Sequence, residues 1–203
     1  MTFVDPYVDP DSGTLRNLPG FDDAEELTLF EAHAVALRAQ QLHVNPALIE
    51  STWGARQWMG VHRHLFQDVY DWAGEFRTIN ITKGEHTFHP ADRLGPAVDY
   101  VASQLQAIAG LRFPSADELA EHLAVVLGDM NEAHPFREGN GRTQREVIGQ
   151  LADLHGHPIA WETISAGDNV EASIASSTDP TAFALLLRNA MATAASDRRS
   201  TDR

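Results

Sequence analysis

Cysteine is absent from all 203 residues, which removes disulfides and thiolate-held metals from consideration. No apolar run approaches the roughly 18 residues that a membrane-spanning helix needs. The opening Met1-Thr2-Phe3-Val4-Asp5-Pro6 has neither the basic flank nor the apolar stretch of a secretory signal. The expectation is a cytoplasmic protein with no membrane partner. Basic residues are scarce: 15 Lys plus Arg face 29 Asp plus Glu, a formal net charge of -14. Because non-specific affinity for nucleic acid comes mainly from neutralising phosphates with Lys and Arg, direct nucleic-acid binding, and with it a DNA-associated regulator, is disfavoured. The few cations are unevenly placed. Arg137, Arg142 and Arg145 fall within nine residues, so an acidic molecule carries one basic spot of the kind that suits a small anionic ligand.

What is present reads as amphipathic helix along most of the chain. Asp22 with Glu25 three residues on is a capping signal, followed by Leu27, Phe30, Ala34 and Leu37 at helical spacing as far as about Gln41. Trp58, Val61, Leu65 and Val69 form a second stripe, and Leu94, Val101, Leu105 and Ile108 a third that stops near Gly110. After Pro114, Ser115-Ala116-Asp117-Glu118 is a capping box that opens a helix with Leu119, Leu123, Val126, Leu127 and Met130 inward, ended by Pro135. The next helix begins near Arg142, buries Val147, Ile148, Leu151 and Leu154, and stops at Gly156 and Pro158. A last one spans about 180–192 with Phe183, Leu186 and Leu187. Between Phe76 and Phe88 the period changes to alternation at Ile79 and Ile81, with a turn at Lys83-Gly84-Glu85, which predicts a small hairpin. The expected architecture is one all-α domain over 1–193, a helical bundle with a core at about 55–160 and a β-hairpin at about 76–89. Residues 194–203 have no apolar pattern and are expected to be disordered.

The chemistry concentrates in His134-Pro135-Phe136-Arg137-Glu138-Gly139-Asn140-Gly141-Arg142-Thr143-Gln144-Arg145, which joins two buried helices. The opening turn of a helix has backbone N–H groups without intrahelical partners and partial positive charge, so Gly139, Asn140 and Gly141 can form an anion-binding loop. Arg142 and Arg145 share a helix face and offer two guanidinium groups to further phosphate oxygens. Glu138 is the carboxylate that can hold magnesium through oxygen, and His134 is an imidazole able to act as general base. Phe136 is a core plug that anchors the loop. Taken singly, a histidine at a helix end, a Gly-Asn-Gly turn and helix arginines all have plain structural readings. Gathered within twelve residues, they are hard to explain that way.

This segment resembles the signature of the Fic domain family, His-Pro-Phe-x-Asp/Glu-Gly-Asn-Gly-Arg-x-x-Arg, at every defined position, with Glu138 in the acidic place. Asp71-Trp72-Ala73-Gly74 and the hairpin also stand where such proteins have them. The resemblance implies a protein adenylyltransferase that moves AMP from ATP to a hydroxyl, often Tyr, of a target protein. His134 would be the base, Glu138 the Mg2+ ligand, and Asn140 with the amides of Gly139 and Gly141 the phosphate cradle. Arg142 would meet the β-phosphate side and Arg145 the γ-phosphate. The hairpin would be a flap that receives the target by strand addition, through Ile79, Ile81, Thr87 and Phe88, with Lys83 and Gly84 near the nucleotide.

Many Fic enzymes carry an inhibitory Ser/Thr-x-x-x-Glu-Gly/Asn helix, and no glutamate here has Ser or Thr four residues before it. The chain therefore resembles the class whose inhibitor is a separate small antitoxin, with Arg145 as its docking charge. Toxins of that class modify the ATPase subunits of DNA gyrase or topoisomerase IV. Alternatives are a Doc-like kinase, which has lysine in place of Gly141, a de-AMPylating enzyme, and, from another class, a catalytically silent binding module, which would lack the base that His134 supplies. His62 and His64, two apart on a helix, point apart and do not suit a metal pair. His86, His89, His155 and His157 read as surface residues, and Trp53, Trp58, Trp72 and Trp161 as core.

Overall fold

A computed structural model describes residues 4–84 and 86–201. The described chain is all-α with a two-stranded excursion: α1 (Ala24–Val44), α2 (Ala55–Phe66), β1 (Thr82–Lys83), β2 (His86–Thr87), α3 (Leu94–Gly110), α4 (Ala116–Ala133), α5 (Asn140–Leu154), α6 (Ala166–Ala175) and α7 (Ala184–Thr201). Helix α4 lies at the centre, packed on α3, α5 and α7, while α2 bridges α1 and α5. Its own sequence explains that place. Ser115 accepts a hydrogen bond from the Glu118 N–H at 3.3 Å, and Leu119, Leu123, Val126, Leu127 and Met130 are all buried.

The end of α4 is equally local in origin. His134 adopts a left-handed backbone, φ 41°, and its N–H donates to the Met130 carbonyl. Pro135 supplies no N–H to continue the helix and disfavours an α conformation in the residue before it. A β-carbon in the left-handed region costs on the order of 1–2 kcal/mol, so packing must hold the turn. Phe136 provides it. Fully buried, it stacks on His62 at 3.8 Å between ring centroids and meets Trp58 edge-on at 6.2 Å.

Several expectations are corrected. The first helix is capped by Asp23, whose carboxylate accepts the N–H groups of Glu25 and Glu26; Asp22 stands one residue too early. That helix buries Leu27, Glu31, Val35 and Leu42, and Leu37 is exposed. At the other side of the bundle Leu154 is exposed as well, because α5 ends there and its last turn has left the core. The hairpin ladder is shorter than the alternating pattern implied: Thr82 pairs with Thr87 and Lys83 with His86. Ile79 lies before it, packed on the core, and Glu85 of the expected turn lies outside the described residues. Helix α6 was not expected, since only Ala172 of it is buried and no apolar stripe marks it. Helix α7 runs to Thr201, and residues 202 and 203 lie outside the described residues. Ala192, Ala194 and Ala195 favour helix without needing burial, and they extend a helix already seated by Leu187, Ala190 and Met191.

Replacing Phe136 by Ala removes a wholly buried ring and should cost about 3–5 kcal/mol. Urea unfolding of the two proteins would measure it, and a loss under about 1 kcal/mol would mean the ring does not hold the turn.

Candidate active site

The turn from His134 to Gly139 opens α5 at the floor of a cleft. The His134 Nδ1 lies 3.1 Å from the Asn131 carbonyl, and since a carbonyl only accepts, that nitrogen carries the proton and Nε2 is left with a free lone pair. The imidazole stacks on Phe88 at 3.9 Å. Burial pushes its pKa down to about 4; Arg77 and Lys83 press in the same direction, while the Asn131 carbonyl and Glu138 oppose it. The ring is therefore neutral at physiological pH, the state a proton acceptor needs.

A second histidine builds the turn from behind. His62, fully buried on α2, accepts the Gly74 N–H at Nδ1, 2.8 Å, and meets the Glu138 carbonyl at Nε2, 3.0 Å. Those partners fix one neutral tautomer, with Nε2 donating. Burial lowers its pKa to about 4, and the neighbouring Arg142 adds to the shift. Sequence reasoning set His62 aside as half of an improbable metal pair. Its place among Trp58, Val61 and Leu65, in the middle of an apolar stripe, was the signal that it is buried and hydrogen-bonded. Gly139 is held against the same wall: its φ is +81°, and a β-carbon there would fall 2.2 Å from the Phe66 ring.

The expected phosphate-binding residues divide. The Asn140 side chain closes the loop on itself, accepting the Phe136 N–H at 2.9 Å and donating to the Phe136 carbonyl at 2.8 Å. Both ends of the side-chain amide are thus engaged in the loop, while the Asn140 backbone N–H, in the opening turn of α5, has no intrahelical partner. Gly141 has nothing within 4 Å of an added β-carbon, so the space in front of it is open. Arg142 does not line the cleft around His134. It lies over the Phe66 ring at 4.7 Å and pairs with the buried Glu31 at 2.5 Å, with Glu138 at 3.4 Å. Tyr70 donates to the other Glu31 oxygen, and burial followed by that carboxylate pushes the Tyr70 pKa up. Glu31 too was missed, although it stands between Leu27 and Val35 in an i, i+4 row of buried residues. Arg145, by contrast, reaches the cleft, and no carboxylate pairs with it among the described residues.

The cleft has a volume of about 640 Å³, within the range of small-molecule sites. His134, Glu138, Gly139, Asn140, Gly141 and Arg145 form one side. Ile81, Lys83, Gly84 and Phe88 of the hairpin face it, with Arg137 at the edge tied to Asp5 at 2.9 Å. Of the other flap candidates, Thr87 lies on β2 and Ile79 before β1, neither in the cleft wall. The third wall comes from α6, through Asn169, Val170, Ser173 and Ile174. No group of three or more metal-ligating side chains occurs among the described residues. Glu138, partly exposed, is a single carboxylate at the cleft, which matches magnesium carried on phosphates, since that ion keeps waters and phosphate oxygens and takes one or two carboxylates from protein. No helix is long and apolar enough to cross a membrane among the described residues.

Against known proteins, residues 54–152 match the family model described as Fic/DOC family. The chain is 34% identical over 172 residues to the protein adenylyltransferase VbhT of Bartonella schoenbuchensis, covering 85% of this chain and 36% of that protein. It is 34% identical over 156 residues to the probable protein adenylyltransferase y4lH of Sinorhizobium fredii, covering 76% and 79% of the two chains. The N-terminal Fic domain of a Bartonella quintana effector, solved with ADP, superposes with a TM-score of 0.84 at 25% identity over 91% of this chain and 93% of that one. BepC of Bartonella tribocorum, solved with AMPPNP, gives 0.83 at 23% identity over 91% and 95%, and shares the fold.

Both imidazoles, His62 and His134, are expected to stay neutral at pH 6, where an exposed histidine is mostly protonated; imidazole 15N shifts would report it, and a protonated signal from either ring refutes its neutral tautomer. Gly139→Ala should lose at least ~1–2 kcal/mol from the left-handed backbone alone, and more from the Phe66 collision. Gly141→Ala should unfold at the wild-type urea concentration.

Proposed function

Because the chain belongs to the Fic/DOC family and is similar to protein adenylyltransferases over most of its length, we propose that it transfers AMP from ATP to a hydroxyl side chain of a target protein, with His134 as the base. The observation that carries this reading is the His134 ring: Nδ1 is committed to the Asn131 carbonyl, which leaves Nε2 as the unprotonated nitrogen of a ring that lines the cleft. The target hydroxyl gives its proton to Nε2 as its oxygen attacks the α-phosphorus. The bond from that phosphorus to the bridging oxygen breaks, and pyrophosphate leaves. Positioning and charge stabilisation supply most of the catalysis in such a transfer.

The phosphates would lie along the opening of α5, against the N–H groups of Asn140 and Gly141, where helix geometry leaves donors unpaired. Arg145 reaches the γ-phosphate as the unpaired cation. Arg142, engaged by Glu31 and Glu138, acts on the phosphates at one remove, by orienting Glu138. Glu138 would hold magnesium, which supplies charge neutralisation on the leaving pyrophosphate. Lys83 and Gly84 close over the nucleotide from the hairpin. The target enters as an added strand along the exposed edge of β1 and β2, and its modified residue is a tyrosine on a type II topoisomerase ATPase subunit.

A groove of about 560 Å³ on the other side of Arg145, between α1 and α5, supports control by a small antitoxin. Ala32, Ala36 and Ala39 line it on α1, and small side chains let another helix approach closely. Arg145 lines both cavities, so an inhibitor carboxylate seated on it would displace the γ-phosphate. Gly141 weighs against phosphate transfer of the Doc kind, which has lysine there.

With a bacterial lysate, ATP labelled at the α-position should mark protein and ATP labelled at the γ-position should not; label from the γ-position alone would replace AMP transfer by kinase chemistry. His134→Ala should lower transfer at least about 100-fold, the usual scale of a general base. For the wild type, kcat/KM should hold from neutral pH down to about 5 and fall only near 4, because the base is lost by protonation and its pKa is about 4. An acid limb near 6.5 would contradict that. Gly141→Ala should weaken ATP binding by titration calorimetry while leaving stability unchanged.

A further inference from the structure

Arg77 is the other large side chain at this turn, and nothing in the proposed reaction uses it. It is 2% exposed, and no carboxylate pairs with it among the described residues. An uncompensated charge buried to that degree is costly, so its surroundings must be unusually well matched. All of its guanidinium partners are backbone carbonyls. Nε donates to His134 O at 2.8 Å and Nη1 to Ile79 O at 2.7 Å, while Nη2 donates to His89 O and lies 3.5 Å from Ala133 O. Its own N–H donates to the Pro135 carbonyl at 2.8 Å.

These carbonyls come from three places. Ala133 and His134 end α4, where unpaired carbonyls and the negative end of the helix dipole favour a cation. Ile79 precedes β1 and His89 follows β2, so they are the two stems of the hairpin. The His89 N–H adds a bond to the Glu132 carbonyl at 3.2 Å. One rigid, five-donor fork thus joins both hairpin stems to the peptide that holds the His134 ring. Lysine, a flexible point charge, cannot reproduce that geometry.

We propose that Arg77 is the positioning residue that registers the target-receiving hairpin against the base, so that a hydroxyl presented from the strand edge arrives at His134 Nε2. The assignment rests on the AMP-transfer reading. Arg77 lines neither the cleft nor the groove beside Arg145, so it touches no substrate and acts through the His134 peptide and the hairpin stems. The main nucleotide contacts, the opening of α5 and Arg145, lie outside its reach, and only the lesser contacts of Lys83 and Gly84 move with the hairpin.

The test compares wild type with Arg77→Lys and Arg77→Met. Both variants are expected to bind ATP with magnesium within about twofold of wild type by calorimetry, and to label lysate protein from α-labelled ATP at least tenfold more slowly. In hydrogen exchange, the Phe88 and His89 amides should lose protection while Leu123 and Leu127 in α4 keep theirs. Labelling at the wild-type rate, or full recovery by Lys, would overturn the proposal, as would loss of ATP binding in step with labelling in a folded variant. Should both variants fail to fold, exchange in the wild type decides: the amides of Arg77, His89 and His134 must open as one unit, and independent opening refutes the link. A wild type that transfers no label counts against AMP transfer itself, and the exchange result then still judges the role of Arg77.

Discussion

Everything at the cleft depends on one buried imidazole. His62 receives the Gly74 N–H and gives its own proton to the Glu138 carbonyl, with its ring between Phe66 and Phe136. Three segments meet there: α2, the turn that follows it and, 76 residues on in sequence, the loop before α5. Without this contact the left-handed backbone at His134 and Gly139 would have no fixed reference, because a turn with two such residues is not a local energy minimum. Burial keeps the ring neutral, and neutrality preserves both hydrogen bonds.

The charges follow a related logic. In a chain with a net charge of -14, four arginines near the cleft differ in how far they are engaged. Arg77 holds carbonyls, Arg137 is tied to Asp5, and Arg142 is tied to Glu31 and Glu138. Arg145 alone among these four has neither a carboxylate nor a carbonyl cage around it, and it stands between two cavities. A guanidinium so placed beside a row of unpaired helix amides is a strong attraction for a phosphate or a carboxylate. Proposed catalysis and proposed inhibition would then converge on the same side chain, since both ligands need the same positive charge.

Helix starts and stops were legible because they are set within one turn of chain. The Ser115 cap, the stop at His134-Pro135 and the buried row from Leu119 to Met130 needed only neighbours three or four residues away. Helix α6 left no trace for the converse reason: its outward Val170 and Ile174 belong to the cleft wall and not to the core. The brief ladder was overestimated because the alternation of Ile79 and Ile81 reflects two separate burials, one on the core and one at the cleft.

By itself, the sequence determined an all-helical chain, a loop able to bind an anion at the start of α5, and a set of reactive groups in family order around His134. Tertiary structure alone decided how those groups are used. Arg142 finds Glu31, 111 residues away in sequence, and is drawn off the cleft; the Asn140 side chain turns back onto the loop; Arg77 meets four carbonyls from three segments. The reason is that a hydrogen bond or ion pair forms with whatever packing brings within about 3 Å, and which helix faces which is settled only when the whole core closes.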